Sequence, residues 1–600
     1  MAVTLTKKND SETYIAYEDG KVSDYLEFSA MLGTVESKHF DTEAGKWYCS
    51  RVDAQKIQDA LDNEGIGDCL KLKPYGYQRQ AIAFGLRNGS ALLRMPCGSG
   101  KTPCGLGLYL ELRNREPDQK LVGVFVVKVA LKQQWIDEVA KFTDLRVGEI
   151  TTYNAATSRI AARIRARQKK LEKFIAAGPA EYARQNNLAG FSMELVKRKQ
   201  EISGLEQEKE DAFNSLFDTD KYDIFVVNYE AVRDEKVREK LLEVHPEFWY
   251  VDEIDYIKSP DADRSQAMYA FNDAKYRFGA TATPIRKNPL DLYGIFRFIR
   301  PELFKSKAQF CDRYLIFSRK YRRYTGAQNE KELAAKVAPY IFARSLDEIA
   351  DQLPQQSVYQ IPCYFTQKQQ KMWQRIYQEL DELNEKGMAL ASRMSPAELA
   401  KSEEYQRIQN GIAARQTFAQ MQTDTEELLE LSDSRMAKQY ITGDPSGKVE
   451  KCMMLLDKIL SSGEKCVIFS KYLRMQDILE REIHKIKEFK DIKIDRIIGD
   501  TSAAKRAAIL KEYNSKADHR VLLLSDSGEA GLNLSTTKYM IEFELADSAA
   551  KQTQRHGRIQ RADSKHKNVF VYQLITQDSY DDTIALRSIQ KKEGYAEKIL

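Results

Sequence analysis

Short apolar runs separated by amphipathic stretches occur in two blocks along this chain. In the first block, from residue 74 to about 300, the runs are Leu121–Val129, Tyr222–Asn228, Trp249–Val251 and Arg277–Ala280. In the second block, which begins near 447, they are Lys465–Ser470, Ile492–Ile498, Val521–Leu524, Tyr539–Glu542 and Val569–Leu574. Such alternation is typical of parallel sheets covered by helices on both faces. The sequence therefore predicts an α/β fold with two parallel-sheet lobes and a cleft between them.

Two long, charged helical stretches interrupt this pattern, at about 155–217 and 366–435. In the first, two apolar stripes flank Gly178-Pro179, which predicts an antiparallel helical hairpin. Its basic residues include Arg163, Arg165, Arg167, Lys169 and Lys170. The hairpin is therefore interpreted either as a solvated protrusion or as an arm that contacts DNA or a partner protein.

Residues 1–70 precede the alternating pattern. Phe40–Cys49 is typical of two short strands around a glycine turn, and Asp53–Leu61 of a helix. This stretch predicts a small α+β module.

Size and composition narrow the class of protein. A chain of 600 residues is too long for one core, so roughly two to four domains are expected. It has no apolar run of about 18 residues, no start that looks like a signal peptide, and eight scattered cysteines without a C-x-x-C pair. These features favour a cytoplasmic protein with reduced thiols and argue against a membrane span or a zinc site. The net charge is only +5, so nucleic acid would have to bind in a local groove.

The clearest chemical signal is the run M-P-C-G-S-G-K-T, which begins at Met95 between a strand-like run and a helical stretch. This is the setting of a phosphate-binding loop, although Met95 stands where the usual pattern has its first glycine. Backbone N–H groups around Gly98 and Gly100 can close on phosphate oxygens. Lys101 can reach the β- and γ-phosphates, and Thr102 can bind Mg²⁺. The predicted nucleotide contacts in this loop are Pro96, Cys97, Gly98, Ser99, Gly100, Lys101 and Thr102.

A pair of carboxylates provides the second signal. Asp252 and Glu253 follow the apolar run Phe248–Val251. At the end of a buried strand, Asp252 would hold Mg²⁺ and Glu253 would orient and deprotonate the attacking water. Together with Lys101, this pair predicts hydrolysis of ATP.

With these motifs and others, the chain resembles the Swi/Snf-type group of superfamily 2 helicase-like ATPases over roughly residues 70–600. The further motifs are Leu72–Gln78, Phe125–Trp135, Tyr222–Glu230, Asp252–Ser259, Gly279–Arg286, Ser525–Leu534 and Gln554–Arg561. Lys128 stands where that family has proline, Asn228 where it has threonine, and Ile254-Asp255 where it has Ala-His. The order and spacing of the motifs make a chance match implausible.

The resemblance implies two RecA-like lobes, and it assigns roles to particular residues. Gln78 would read adenine, and Gly531 and Asn533 would contact the nucleotide. The implied nucleic-acid contacts are Lys128, Asn228, Thr281, Thr283, Ser470 and Lys471. The expected domains are 1–70 (N-terminal module), 71–305 (ATP-binding lobe), 306–445 (helical linker) and 446–600 (second lobe).

Arg558 and Arg561 lie three residues apart, on one face of a helical turn. A guanidinium can bridge phosphate oxygens and stabilise charge in the transition state. Since both arginines belong to the second lobe, they would reach ATP only when the cleft closes.

The preferred interpretation is an ATP-dependent DNA translocase or remodeller in replication, repair or recombination. A strand-separating helicase of a replisome, for example a phage one, is the alternative, and an RNA substrate stays open. Intact Lys101, Glu253 and Arg561 argue against a non-enzymatic scaffold. We expect a monomeric motor of bacterial or phage type. The module 1–70 is similar in outline to branched-DNA recognition modules of fork-remodelling motors, and the other interpretation is an extension that packs on a lobe.

Overall fold

The computed structural model describes residues 3–8, 11–17, 39–41, 46–50, 65–183, 190–285, 289–318, 323–345, 348–349, 353–365, 367–394, 398–399, 402–412, 447–516, 518–526, 532–546, 549–561 and 563–577. The strands are β1 (Val3–Lys7), β2 (Glu12–Tyr17), β3 (His39–Asp41), β4 (Lys46–Ser50), β5 (Ser90–Arg94), β6 (Gly123–Val127), β7 (Val147–Ile150), β8 (Ile224–Asn228), β9 (Phe248–Asp252), β10 (Tyr276–Thr281), β11 (Leu315–Ser318), β12 (Arg323–Ala327), β13 (Ile341–Ala343), β14 (Gln355–Cys363), β15 (Cys466–Phe469), β16 (Lys493–Ile497), β17 (His519–Leu524), β18 (Tyr539–Glu542) and β19 (Asn568–Thr576). The main helices are Gly76–Asn88, Lys101–Arg115, Lys132–Phe142, Tyr153–Ala183, Gly190–Asn214, Tyr229–Arg233, Glu235–Val244, Asp263–Tyr269, Leu290–Ile299, Lys307–Tyr314, Glu330–Val337, Gln367–Ala391, Gly447–Ser461, Leu473–Lys485, Ala503–Ser515 and Ala549–His556. Within these described ranges, no helix is long and apolar enough to cross a membrane.

The first large sheet has seven parallel strands in the order β13-β5-β10-β9-β6-β8-β7. Strands β6, β8 and β9 are entirely buried, as expected when both faces of a parallel sheet are covered. Along β6, Val124 and Val126 pack in one hydrophobic cluster, and Phe125 and Val127 pack in another. The sheet therefore has a core on each face, which leaves the carboxyl ends of its strands as the place for a site.

The second large sheet has six parallel strands in the order β14-β19-β18-β15-β17-β16. Along β15, Cys466 and Ile468 face one cluster, and Val467 and Phe469 face the other. The predicted α/β fold with two parallel-sheet lobes is confirmed.

The stretch 306–445, predicted as a helical linker, also supplies strands to both lobes. Strand β13 pairs with β5 in the first sheet, and β14 pairs with β19 along its full length in the second. Strands β11 and β12 form a separate antiparallel hairpin. The sequence of β14, QQSVYQIPC, is polar and contains a proline, which suits an edge strand but not a buried one. This is why the apolar pattern did not reveal it.

The N-terminal residues form a four-stranded antiparallel sheet in the order β1-β2-β4-β3. The predicted strand pair is confirmed, with Phe40 opposite Trp47. The predicted helix Asp53–Leu61 lies outside the described residues.

Helices Tyr153–Ala183 and Gly190–Asn214 form the predicted antiparallel hairpin, which we call the helical arm. The first helix is interrupted at Gly178, whose φ is 73°, and resumes as far as Ala183. The first helix therefore continues past Gly178-Pro179, the position at which the sequence predicts the connection. Aromatic pairs near both ends hold the helices together, namely Tyr153 with Phe213 and Phe174 with Phe191.

Candidate active site

The predicted phosphate loop connects β5 to the helix Lys101–Arg115. Gly98 and Gly100 have φ values of 78° and 79°, a left-handed conformation that glycine adopts at little cost. A Cβ atom on Gly100 would lie 2.2 Å from Nε2 of Gln78, and one on Gly98 would lie 2.7 Å from the carbonyl oxygen of Gln560. Both positions therefore require glycine for backbone shape and for close packing. Unpaired N–H groups in the first turn of the helix favour an anion here.

Lys101 is the charged centre of this loop. Its Nζ donates to the carbonyl oxygens of Pro96, at 3.1 Å, and Met95, at 3.4 Å. Burial alone would lower the pKa of Lys101, but the thiol of Cys97 and the carboxylates at the end of β9 outweigh burial and hold the pKa above its ordinary value. The ammonium therefore stays charged beside the loop, as binding of a phosphate requires.

Gln78, predicted to read adenine, lies against the phosphate loop. Its Nε2 donates to the carbonyl oxygen of Ser99 at 2.9 Å, and its Oε1 accepts from the N–H of Tyr75 at 2.9 Å. The hydroxyl of Tyr77 donates to the same Ser99 oxygen at 2.7 Å. Gln78 and Tyr77 thus hold the loop in place. Gln78 also lines a cavity of about 200 Å³, together with Tyr75 and Gly100. Tyr77 was not singled out from the sequence.

Asp252 ends β9 and is buried beside Lys101. One of its carboxylate oxygens accepts from Nε1 of Trp135 at 3.0 Å, and the other accepts from the N–H of Glu253 at 3.0 Å. Burial, followed by the neighbouring Glu253, raises the pKa of Asp252 to about 6. With the hydroxyl of Thr102, this carboxylate offers the oxygen donors that Mg²⁺ prefers, so the residues present fit the ion.

Glu253 has a strained backbone. Its φ of 50° is left-handed, which is rare outside glycine and is typical of functional positions. The hydroxyl of Tyr229 donates to the carbonyl oxygens of Asp252, at 2.7 Å, and Glu253, at 3.2 Å. Tyr229 therefore holds the turn that presents the Glu253 carboxylate, a role that the sequence did not indicate.

The fourth residue of the acidic run, Asp255, connects this turn to β10. Its carboxylate accepts from the hydroxyl of Thr281 at 3.0 Å, and both side chains are buried. The N–H of Thr283 donates to the same hydroxyl oxygen at 3.2 Å. Asp255 stands where the family has histidine, and through this hydrogen bond it connects the acidic run to the Gly279–Arg286 motif.

The Gln554–Arg561 motif of the second lobe lies directly against the phosphate loop. Nε2 of Gln554 donates to the Glu253 carboxylate at 3.5 Å. A Cβ atom on Gly557 would lie 2.4 Å from Cβ of Cys97. The cleft is therefore closed at this point, with the two lobes in van der Waals contact.

Arg558 lies near enough to Lys101 for the two positive charges to repel each other, which by itself lowers the pKa of Lys101. Its Nε is buried and has no hydrogen-bond partner among the described residues. A buried donor without a partner is costly, so this guanidinium is arranged for an anion.

Arg561 reaches the nucleotide cavity by a second route. Its Nε donates to Asp563 at 3.2 Å, and Nδ2 of Asn533 donates to the other oxygen of that carboxylate at 2.9 Å. Arg561 and Asp563 both line the cavity with Gly98. Asn533 therefore acts through Asp563 and Arg561, while Gly531 lies outside the described residues.

Arg555 supports the motif from inside the second lobe. It is buried, forms an ion pair with Asp526, and donates from Nη1 to the carbonyl oxygen of Glu544 at 3.0 Å. Glu542, also buried, faces Nη1 of Arg555 at 3.7 Å and accepts from Gln573 at 2.7 Å; His556 lies 3.3 Å away. This buried network anchors the turn that carries Arg558.

We expect Glu542→Gln to destabilise the protein by about 3 kcal/mol at pH 7, since it leaves the buried Arg555 without its full charge partner. Burial alone would raise the pKa of Glu542, but its donors hold the pKa at about 2, below its ordinary 4.5. The stabilisation that follows from a lowered carboxyl pKa is complete above pH 4.5 and is lost as pH falls towards 2. Urea unfolding at pH 5 and pH 3 should therefore show a smaller difference between variant and wild type at pH 3. An equal difference at both pH values would show that the ion pair contributes no charge-dependent stability.

Two of the predicted nucleic-acid contacts require correction. Thr281 and Ser470 are buried, and their hydroxyls bond to Asp255 and Glu544 at 3.0 and 3.2 Å. Both are internal connections, because neither side chain reaches the surface. The positions of these residues in their motifs suggested contacts with nucleic acid, but the burial of both side chains argues against such contacts.

The other four predicted contacts have different surroundings. Nζ of Lys128 lies 5.7 Å from the ring centre of Tyr256. Asn228 lines a cavity of about 480 Å³ that has walls from both lobes, including Arg506 and Asn533 of the second. The backbone N–H of Lys471 donates to the Glu544 carboxylate at 2.8 Å. Thr283 lies two residues after the end of β10, and its backbone N–H donates to the hydroxyl of Thr281. The DNA contacts of these four residues stay predictions.

Two known domain families match separate parts of this chain. The SNF2-related domain matches residues 77–427, more than half of the chain, and the helicase conserved C-terminal domain matches residues 448–563. The Sulfolobus solfataricus SWI2/SNF2 ATPase core in complex with dsDNA is 19% identical, with a TM-score of 0.36, and the alignment covers 88% of this chain and 95% of that one.

Three curated relatives are similar over most of the chain. The probable ATP-dependent DNA helicase CHR12 of Arabidopsis thaliana is 24% identical over 383 residues, which are 62% of this chain and 32% of CHR12. The TATA-binding protein-associated factor mot1 of Aspergillus fumigatus is 25% identical over 391 residues, 60% of this chain and 20% of mot1. The nuclear protein STH1/NPS1 of Saccharomyces cerevisiae is 24% identical over 387 residues, 62% of this chain and 27% of that protein. The chain thus matches about a third or less of the length of each relative.

Proposed function

Because this chain belongs to the SNF2-related family of ATPases, we propose that it hydrolyses ATP and couples hydrolysis to movement on, or remodelling of, duplex or branched DNA. One observation carries the proposal: Lys101, the Asp252–Glu253 pair and Arg558 come from both lobes and meet at one edge of the cleft. A lysine, two carboxylates and an arginine so placed are the groups that phosphoryl transfer to water requires.

The chemistry follows from the position of each side chain. Lys101 and the N–H groups of the loop would hold the phosphates of ATP, and Glu253 would orient a water molecule and accept its proton. The water oxygen bonds to the γ-phosphorus while the bond to the bridging oxygen of ADP breaks, which releases ADP and phosphate. Thr102 and Asp252 would hold Mg²⁺, which would supply positive charge to the phosphates when bound.

Closure of the cleft would make hydrolysis conditional on the position of the second lobe. Arg558 reaches the site only while Gly557 contacts Cys97 and Gln554 bonds to Glu253. Release of the products removes the anion that Arg558 binds, and the lobes then separate more easily. Alternate closing and opening is the movement that we propose drives translocation. All of these groups belong to one chain, which supports a monomeric motor.

DNA would lie across the end of the cleft where Asn228 and Val129, the neighbour of Lys128, line a cavity with residues of the second lobe. Contacts of this kind are made to the backbone and carry little sequence information. We therefore propose low sequence specificity and an affinity that falls steeply with salt. The N-terminal sheet is the candidate for recognition of branched DNA in replication, repair or recombination.

We expect duplex DNA, blunt or forked, to stimulate the ATPase more than single strands do. The measurement is the steady-state rate without nucleic acid and with single-stranded, blunt duplex and forked DNA, all at one salt concentration. Greater stimulation by the fork than by the blunt duplex would support remodelling of branched DNA. Stimulation by single strands alone would instead favour the strand-separating helicase, and no stimulation by any DNA would contradict the proposal.

A further inference from the structure

The helical arm rises from the edge of the cleft. Its first helix begins at Tyr153, three residues after β7 ends, and runs for about 37 Å before the interruption at Gly178. Thr151, Thr152 and Ala155, at the base of the arm, line the same two-lobe cavity as Asn228. The arm therefore starts at the wall of this cavity.

On the side of the first helix that faces the second helix, the side chains are apolar or their charges are neutralised by ion pairs. Ile164 is buried against the second helix, which contributes the buried Ile202. Arg163 and Arg167 form ion pairs across the arm, with Glu208 at 2.6 Å and Glu201 at 3.6 Å. The charges of these two arginines are therefore largely neutralised within the arm itself.

The exposed surface of the same helix is strongly basic, and Arg165 on this surface also lines the groove between the two helices with Glu206. Residues 159–173 contain seven basic residues and one acidic residue, a net charge of +6 in a chain whose whole net charge is +5. Five of the basic residues are exposed and form no ion pair with any described residue. They are Arg159, Arg165, Lys169, Lys170 and Lys173.

The spacing of these residues makes a continuous surface. Arg165, Lys169 and Lys173 follow one another at intervals of four, so they form one row along the helix. Ala162 and Ala166, also exposed, lie between them and Arg159 and would let a backbone approach closely. We call these five basic side chains the basic row.

We propose that the basic row binds the phosphate backbone of duplex DNA outside the cleft, so that the arm lengthens the bound stretch of DNA. This inference rests on the proposed function, because it takes DNA as the substrate of the cleft. At 3.4 Å per base pair, the reach of the arm corresponds to about 11 base pairs. Exposed Lys and Arg without protein partners release counterions when they meet phosphates, which makes the contribution salt-dependent.

The test is Arg165→Ala/Lys169→Ala/Lys173→Ala in the full chain. The substitutions are exposed and place alanine in a helix, so the fold should persist, and circular dichroism checks this. The matched control is Lys487→Ala/Lys490→Ala/Lys493→Ala, which removes three exposed lysines just before and at the start of β16, at the opposite end of the second sheet from the cleft. Binding to a blunt duplex longer than the cleft and arm together is measured between about 50 and 200 mM salt.

For the arm variant, we expect the slope of log affinity against log salt to become shallower by about 2 to 3, with Kd weakened at least about 10-fold. Its hydroxyl-radical footprint should shorten by up to about 11 base pairs, while the control variant keeps the wild-type slope and footprint. Wild-type slope and footprint in the arm variant would overturn the proposal while leaving the proposed function intact, and would favour an acidic protein as the partner. A wild-type protein that binds no duplex would overturn both. Equal losses in both variants would show a non-specific charge effect and would also overturn the arm assignment.

Discussion

Lys101→Ala is expected to lower the rate of ATP hydrolysis by about 10³-fold while the protein stays folded. The ammonium lies among Cys97, Asp252 and Glu253, and it is the only cation that the first lobe places in the phosphate loop as the structure describes it. Its removal takes away both the contact to the phosphates and a positive charge that lowers the pKa of Asp252. The measurement is steady-state hydrolysis with saturating duplex, together with the thermal unfolding midpoint.

The matched control is Lys120→Ala, a lysine of the same lobe whose exposed ion pair with Asp220 is 2.6 Å long. Such surface pairs contribute about 0 to 1 kcal/mol, so this variant should keep the wild-type rate. Hydrolysis by Lys101→Ala at the control rate would remove the loop from the mechanism.

Arg558→Ala should lower kcat by about 10³-fold or more and change nucleotide affinity by only a few-fold, as expected of an arginine that acts on the transition state. The reason is geometric: its buried Nε has no partner among the described residues, and it reaches the site from the opposite lobe. Single-turnover hydrolysis gives the chemical step, and binding of a fluorescent ADP analogue gives the affinity.

Arg561→Ala is the informative comparison. Arg561 is paired with Asp563 and lines the nucleotide cavity, so its loss should weaken nucleotide binding in addition to slowing turnover. If Arg561→Ala alone lost turnover and Arg558→Ala kept it, the roles of the two arginines would be exchanged.

The sequence predicts those parts of the site in which local pattern and chemistry coincide. The buried runs that became β6, β8 and β9 and the glycines of the phosphate loop are visible as such, since each depends on neighbouring residues. Trp135 and Tyr229 were missed because their partners are distant, Trp135 being 117 positions from Asp252. Those contacts exist only once three strand ends meet at one edge of the sheet.

Errors arose where a motif's position was taken for exposure. Thr281 and Ser470 belong to motifs associated with DNA, but strand direction turns their hydroxyls inward to Asp255 and Glu544. Arg555 shows the opposite case, a charged residue that is 2% exposed and serves the interior of the second lobe. Only the packed structure separates such arginines from Arg558.

The last strand of the first sheet, β13, and the first strand of the second, β14, are eleven residues apart, 344–354. So short a tether keeps each lobe at an effective concentration of the order of millimolar near the other. Even a weak contact between them is then populated without any DNA. Moreover, Gln560 donates to the carbonyl oxygen of Pro354 at 3.1 Å, so the turn that carries the arginines is also hydrogen-bonded to the tether. The end of the tether and the turn with the arginines are thus fixed to each other within the second lobe, so a shift of the tether relative to the first lobe would carry the arginines with it.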